Sequence, residues 1–460
     1  MRVWKLRTAC IAAVLGVTSI CWASPHSEVA SALDEDDRFD LHLTLDYGFE
    51  LHRANVLREY AGLPGTAPTD PMPLAKDLRY AGSRQLLTPR LEVGVFTDLA
   101  FTVALPLVLS DSRSLSFSSG IDRSTSTTVR DGLLSDSGFN ADDPNGPGFA
   151  TGDTIFRGPG RAGLDQIHLG LVWAAMNQTR DNTKPTWKIG AEPRLAIGSP
   201  MRLDATDPGS DTGVGRGLHE LRLWTSFARR VGWAEPYMTI WWLTPLGQSG
   251  DSAFESLGFG QESSAAQQRG GVTFGAEFEV WRRAGASGPQ WITVDGSAYL
   301  EANFEGRGYS EMWEVFQYAG TPRETGPAPL VLDADPVQPG RQQLTHPGVT
   351  AIENYLRVGG HVGAKGHFAT ARFGVIDVGA NFGILSSQSH TISYADVGED
   401  LPTCSAAVSQ PCEVEDNAVV DPDTAEVNPG YVPLIDFAGS RYRVDDIFDY
   451  IVRIEARILF

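Results

Sequence analysis

The final stretch of the sequence constrains the fold more than any other. From Phe448 to Phe460 every second residue is apolar, and the positions between them include one aspartate, one glutamate and two arginines. A period of two places successive side chains on opposite faces of a β-strand. The sequence therefore predicts a closing strand with one apolar and one polar face. A strand of a soluble sandwich is the alternative that this stretch alone leaves open.

The same alternation recurs in twelve segments over residues 38–460. The first, 39–51, is longer than the usual globular strand of about five or six residues and suits a tilted membrane strand. Short turns are predicted at 97–98, 177–185, 229–234, 283–289 and 366–367, and long loops at 53–83, 110–163, 199–217, 244–270, 305–350 and 385–440. Because short and long connections alternate strictly, we expect an all-β fold, a transmembrane antiparallel up-and-down β-barrel of about 12 strands.

The start of the chain is typical of a signal peptide. Three basic residues precede an apolar core at 9–20, and Ala23 offers a small residue for cleavage. We therefore expect 1–23 to be removed on export and 24–37, which is polar and acidic, to form a flexible periplasmic lead-in.

The cysteine pattern agrees with export. Outside the leader the chain has only Cys404 and Cys412, which are separated by seven residues. A cysteine pair in an exported protein predicts a disulfide that closes a small loop.

Tryptophans give a further indication of a membrane. Five of them lie in or beside the predicted short turns: Trp173, Trp187, Trp233, Trp281 and Trp291. Trp is enriched at membrane–water interfaces, so these side chains are predicted to form an aromatic girdle at that end of the barrel. Packing in an ordinary core near strand ends is the alternative.

The positions opposite the apolar stripes are predicted to line the lumen, because charged groups in contact with lipid would be costly. The pore-lining candidates carry both signs: Arg90, Glu92, Lys188, Glu192, Arg194, Glu220, Arg222, Glu277, Glu279, Glu301, Arg357, Asp377, Arg453, Glu455 and Arg457. Two interpretations remain open, an ion-paired network that fills a narrow barrel and a charged pore or substrate ladder.

Several function classes find no support in the sequence. There is no Gly-x-Ser-x-Gly elbow and no His-Glu-x-x-His motif, and the glycine-rich pieces lack a P-loop ending, so no catalytic residue, metal or cofactor is predicted. The net charge of −20 argues against nucleic acid as a partner.

The alternating final strand with an aromatic end resembles bacterial outer-membrane barrels. This resemblance implies that Tyr450 and Phe460 belong to a signal read by the barrel-assembly machinery, and that outer-membrane lipid of a Gram-negative bacterium surrounds the protein. The stretches 163–171 and 189–200, each followed by a turn or a Gly/Asp-rich loop, resemble a narrower group, the phenol meta-pathway type of outer-membrane barrel. Those barrels are regarded as transporters of small, often aromatic, compounds.

We therefore expect a barrel that lets small solutes pass, as a porin or transporter does, with lumen charges that set selectivity. The alternative is a surface-exposed structural or adhesion barrel that acts through the loops 110–163, 305–350 and 385–440. A barrel-embedded hydrolase is a third hypothesis.

Overall fold

The computed structural model of the chain describes residues 26–34, 39–59, 73–255, 265–285, 288–322, 328–333, 343–370, 374–392, 432–437 and 439–460. Within them the elements are, in chain order, β1 (Leu41–Glu59), β2 (Leu74–Phe96), β3 (Leu99–Ala104), β4 (Leu107–Phe117), α1 (Thr127–Arg130), β5 (Phe139–Asn140), β6 (Thr154–Arg157), β7 (Arg161–Leu164), β8 (Gln166–Met176), β9 (Thr186–Ala196), β10 (Leu218–Ala228), β11 (Ala234–Gln248), β12 (Arg269–Gly285), β13 (Gly288–Asn303), β14 (Gly306–Gly308), α2 (Trp313–Ala319), β15 (Val331–Asp333), β16 (Gln343–Thr345), β17 (Thr350–Ile352), β18 (Tyr355–Thr370), β19 (Gly374–Ser387), β20 (His390–Ile392), α3 (Pro433–Asp436) and β21 (Tyr442–Leu459). Among these residues no helix is long and apolar enough to cross a membrane.

Twelve antiparallel strands form a closed barrel, which confirms the predicted fold class. The wall follows the chain through β1, β2, β3 with β4, β7 with β8, β9, β10, β11, β12, β13, β18, β19 and β21. Strand β1 pairs with β2 on one side and with β21 on the other, so no edge is left open. The remaining strands and the helices belong to the long connections.

Short and long connections lie at opposite ends of the barrel, here named the turn end and the loop end. Three predicted turns, at 97–98, 177–185 and 229–234, join consecutive wall strands. The turn predicted at 366–367 is wrong, because Gly366 pairs with Ile292 and Val378 inside β18. A glycine is tolerated in this strand because the ring of Phe368 covers it, 3.2 Å from where a Cβ would lie.

The outer surface carries the apolar stripes that the sequence predicts. On the closing strand, Phe448, Tyr450, Val452, Ile454 and Phe460 are exposed. Equivalent positions of other wall strands are exposed too, among them Leu43, Leu45, Leu171, Leu223, Ile240, Phe274, Val294, Val358, Val378 and Phe382. An apolar band therefore faces outward from all sides of the barrel, as lipid requires.

The predicted tryptophan girdle is wrong for one member. Trp173, Trp233 and Trp281 are exposed on the outside near the turn end, whereas Trp291 is only 5% exposed and lies inside. The reason is a register shift between Glu279 and Trp281 that turns the indole of Trp281 outward, while the β13 strand keeps its regular alternation.

The strands extend beyond the apolar band at the loop end. The predicted loop 53–83 is shorter than expected, because β1 continues to Glu59 and β2 begins at Leu74. In this extension the inner face changes from polar to apolar, and Val56, Leu78 and Tyr80 are buried.

The change of polarity occurs because the loops fold over the mouth of the barrel. Residues of α2, of α3, of β6 and of the segment after α1 pack with the inner faces of β1, β2 and β21 in one hydrophobic cluster. This cluster includes Leu133, Phe156, Met312, Phe316 and Ile435. We call these packed loop segments the cap. Cys404 and Cys412 lie outside the described residues.

The opposite end is occupied by the start of the described chain. Residues 26–34 lie inside the turn end, where Val29, Ala30 and Ala32 are buried and the ring of His26 stacks on Tyr237 at 3.5 Å. The sequence predicts a flexible lead-in over 24–37, and the structure places this part of it in contact with the barrel wall.

Candidate functional site in the barrel lumen

Two cavities lie inside the barrel between its ends. The larger, of about 710 Å³, has a lining that includes Glu92 toward the turn end and Arg269 toward the loop end. The smaller has a volume of about 450 Å³. Both linings include Glu50 and Arg453, so the cavities adjoin the same part of the wall, and together we call them the chamber.

Below the chamber, polar side chains fill the turn end of the lumen. We call this set the turn-end layer, and its buried members are His42, Lys188, Glu277, Thr293, His367, Asp377 and Arg457. In it His367 bonds through Nδ1 to Asp377 at 2.7 Å and through Nε2 to the Thr293 hydroxyl at 2.9 Å. The indole of Trp291 stacks on the His367 ring at 4.6 Å. Each charge is thus matched by partners, as burial requires.

The segment 26–34 completes this layer. The Glu28 carboxylate pairs with Arg457 at 2.9 Å, and Lys188 donates to the Glu28 carbonyl oxygen at 3.1 Å. The backbone N–H of Ala30 donates to Glu92 at 2.9 Å. Side-chain groups of three wall strands therefore hold the segment in place within the layer.

Arginines dominate one side of the chamber. We call Arg90, Arg194 and Arg222 the arginine cluster. Glu192 is the counter-ion of two of them, at 2.9 Å from Arg194 and 3.8 Å from Arg90, and it is the cross-strand neighbour of Arg222. His168 also approaches this carboxylate, at 3.5 Å. Three guanidinium groups thus lie near one carboxylate, and only two of them pair with it.

Four charged groups on β1, β2 and β21 balance one another in charge but are not in contact. Arg84 and Arg453 line the chamber, as do Asp46 and Glu50. Glu50 faces Arg84 across the strand pair, yet among the described residues no carboxylate oxygen lies within 4.0 Å of either arginine's nitrogens. The Nε of Arg84 is buried without a hydrogen-bond partner. These groups line the chamber without an ion pair among the described residues.

The cap closes the loop end through buried ionic contacts of its own. Arg161 of β7 pairs with Glu314 of α2 at 3.0 Å, and its guanidinium lies over the Trp313 ring. Burial lowers the pKa of His346 to about 3, and the positive charge of Arg307 acts in the same direction. The cap is therefore built as a packed unit over the chamber.

One hydrogen-bonded chain resembles the arrangement of a serine hydrolase. The Ser297 hydroxyl lies 2.9 Å from Nδ1 of His361, and Nε2 of that ring lies 2.6 Å from Asp295. Tyr237 donates to the same carboxylate at 3.1 Å. His361 lines the smaller cavity. The side chains alternate on β13 and β18, where the backbone N–H groups are engaged in the sheet, so no backbone oxyanion site accompanies them.

The predicted pore-lining residues are divided between these regions. Those that line the chamber are Arg90, Glu92, Arg194, Arg222, Glu301, Arg357, Arg453, Glu455 and, at the boundary with the turn-end layer, Arg457. Lys188, Glu277 and Asp377 belong to the turn-end layer, and Glu192 and Glu220 are buried behind arginines. Glu279 lies at the rim of the turn end, paired with Arg230 and Arg282.

Several chamber residues are missing from the predicted set, among them Asp46, Glu50, Arg84, His168 and His361. All lie on the polar face of a wall strand, so the alternation that marks the lumen could have included them. No comparable pattern in the sequence predicts that residues 26–34 complete the turn-end layer.

No protein-family model matches the chain, and no curated protein matches it. Among solved structures, the chain is similar to the COG4313 outer membrane channel from Pseudomonas putida F1, with 8% identity and a TM-score of 0.36 over 95% of this chain and 98% of that one. A Pseudomonas aeruginosa FadL homologue has 9% identity and a TM-score of 0.30, with 92% and 90% of the two chains covered. The outer membrane protease OmpT from Escherichia coli has 6% identity and a TM-score of 0.27, with 92% and 97% covered.

These structures include outer-membrane proteins, the class that the closing strand resembles. At such identities and TM-scores they do not assign a function. The resemblance to the phenol meta-pathway type stays a prediction.

Proposed function

We propose that the protein is a barrel of the Gram-negative outer membrane through which small solutes pass. The observation that carries this proposal is the chamber, two polar cavities of about 450 and 710 Å³ enclosed by a wall whose outer face is apolar. A barrel that serves only as a scaffold would gain stability by filling such space with side chains. Small organic solutes fit cavities of this size.

In this orientation the turn end is periplasmic and the loop end is extracellular. For a solute to cross the barrel, the segment 26–34 and the cap must each move, or a solute-sized gap must exist between each of them and the wall. Among the described residues, the contacts that pack both of them against the wall are hydrogen bonds, ion pairs and apolar packing. The disulfide between Cys404 and Cys412, the assembly role of Tyr450 and Phe460, and cleavage near Ala23 belong to the same proposal as predictions from the sequence.

The test is a flux measurement on the purified protein in liposomes. Swelling in an uncharged pentose such as arabinose is expected to exceed that of empty liposomes, and to increase when residues 26–34 are deleted behind an intact leader. No swelling with either form would overturn solute passage and favour a structural barrel.

Hydrolysis is a second candidate because of the Ser297, His361 and Asp295 chain. It predicts covalent labelling of the protein by a fluorophosphonate, lost in Ser297→Ala. Absence of labelling in folded wild-type protein removes this candidate. We favour passage, because the three side chains lack the backbone oxyanion donors that acyl transfer needs.

A further inference from the structure

The arginine cluster has more positive charge than its surroundings neutralise. Arg194 is the only member within 3 Å of Glu192, and Arg90 approaches that carboxylate no closer than 3.8 Å. Among the described residues, no carboxylate oxygen lies within 4.0 Å of the Arg222 guanidinium nitrogens. Arginine stays protonated under all ordinary conditions, so the excess charge cannot be relieved by loss of a proton.

The cluster also borders free space. Arg90 and Arg194 line the larger cavity, and Arg222 lines the smaller one. Nearby Arg453 lines both and is itself exposed to the lumen. A ligand in the chamber can therefore reach guanidinium groups from more than one side.

An aromatic surface accompanies these charges. The Arg222 guanidinium lies over the Trp241 ring at 5.8 Å, and this indole lines the smaller cavity together with Tyr299 and Leu300. A planar guanidinium stacked on an aromatic ring keeps its edge N–H groups free to donate. The site thus combines oxyanion donors with an apolar surface for the body of an organic ligand.

We propose that the arginine cluster binds the anionic group of a small organic solute, a carboxylate or a phosphate ester. Guanidinium groups bind such oxyanions through paired, charge-assisted hydrogen bonds. The inference rests on the proposed function for the presence of solute in the chamber. It adds the substrate class, which neither the fold nor the overall charge of the chain specifies.

Titration calorimetry on the full protein in detergent tests the site, with benzoate and inorganic phosphate as separate probes and choline as the cationic control. Arg222→Gln and Arg90→Gln are expected to weaken anion binding about tenfold or more each, because each removes one charge-assisted contact. Glu192→Gln is expected to tighten binding, because it removes the competing carboxylate. Arg79→Gln, which removes a charge from an exposed position outside the lumen, is the matched control and should change nothing.

Benzoate binding identifies a carboxylate site, and binding of phosphate alone identifies a phosphate site. No binding of either anion to wild type, binding equal in Arg222→Gln and wild type, or binding of choline as strong as that of anions would overturn the inference. Heat-modifiability on gels shows whether each variant is folded. A folded Glu192→Gln protein that binds anions more weakly than wild type would also overturn the inference. Arabinose flux is measured in parallel. Anion binding without arabinose flux would contradict solute passage and support the anion site. Arabinose flux without anion binding would support solute passage and contradict the anion site.

Discussion

The turn-end layer and the chamber occupy the same lumen but differ in whether their charged side chains are paired. In the layer, Asp377, His367 and Arg457 are buried and each has a partner within hydrogen-bond distance. In the chamber, Arg222 and Arg453 face open space with no carboxylate within 4.0 Å among the described residues. In both regions the charged side chains occupy the inward-facing, alternate positions of the wall strands. The difference comes from what fills the space, since residues 26–34 occupy the layer and no part of the described chain occupies the chamber.

This comparison separates two interpretations that the sequence left open, an ion-paired filling and a charged pore. The lumen contains an ion-paired filling at the turn end and, next to it along the barrel axis, a cavity lined by charged side chains. The layer is suited to closing the barrel, and the chamber is suited to holding a ligand. A set of changes that disturb one region and spare the other can therefore test the assignment.

The largest effect is expected from removing the segment that completes the layer. Deletion of 26–34 takes away Glu28 and leaves Arg457 and Lys188 facing water. We expect single-channel conductance in planar bilayers to rise at least severalfold over that of wild type. Arg79→Gln, at an exposed position outside the lumen, is the control and should leave the conductance unchanged. Equal conductance of wild type and the 26–34 deletion would show that this segment does not obstruct the lumen.

A single substitution in each region should separate them by stability. Asp377→Ala removes the partner of His367 in a buried site and is expected to destabilise the barrel by about 3–5 kcal/mol. Arg84→Gln changes a chamber residue without an ion pair and should cost at most about 1 kcal/mol. Urea unfolding in detergent or lipid vesicles measures both, and similar losses for the two variants would contradict the distinction.

A smaller effect is expected in the cap at low pH. The pKa of His346 is lowered from 6.5 to about 3, so the unfolded cap binds a proton more readily than the folded cap. The stability that the neutral His346 ring gives to the folded cap is complete above pH 6.5 and is lost as the pH falls toward 3. The neutral ring accepts a hydrogen bond from the Gly348 N–H at 3.0 Å, which protonation of Nδ1 would break.

Hydrogen exchange of α2, corrected for the intrinsic pH dependence of exchange, should therefore be faster at pH 4.5 than at pH 7. His346→Asn keeps a side-chain acceptor without a titratable ring, and its protection should depend less on pH. If wild type and this variant respond to pH alike, other groups control the cap.

The barrel itself follows from the sequence because a wall strand imposes a period of two, and this period recurs in twelve segments joined by alternating short and long connections. The loop alternation then sets the order of strands. Gly366 and His367 mislead because a glycine beside a histidine suggests a turn, whereas in the barrel an aromatic ring covers the glycine and the histidine enters the layer.

The closures at the two ends cannot be inferred in the same way. Val56 and Tyr80 lie on strands whose inner face is polar elsewhere, and they are buried only because the cap reaches them. Ala30 and Glu28 form part of a polar stretch, and their contacts are with residues more than sixty positions away. Such burial depends on tertiary contacts that leave no local periodicity.

Cysteine accessibility tests the central comparison most directly. In a background of Cys404→Ser and Cys412→Ser, Asn381→Cys places a thiol in the lining of the chamber and Thr293→Cys places one in the turn-end layer. We expect an anionic methanethiosulfonate reagent to label position 381 at least about a hundredfold faster than position 293 in the folded barrel. Equal rates, or no reaction at position 381, would contradict an open chamber above a packed layer.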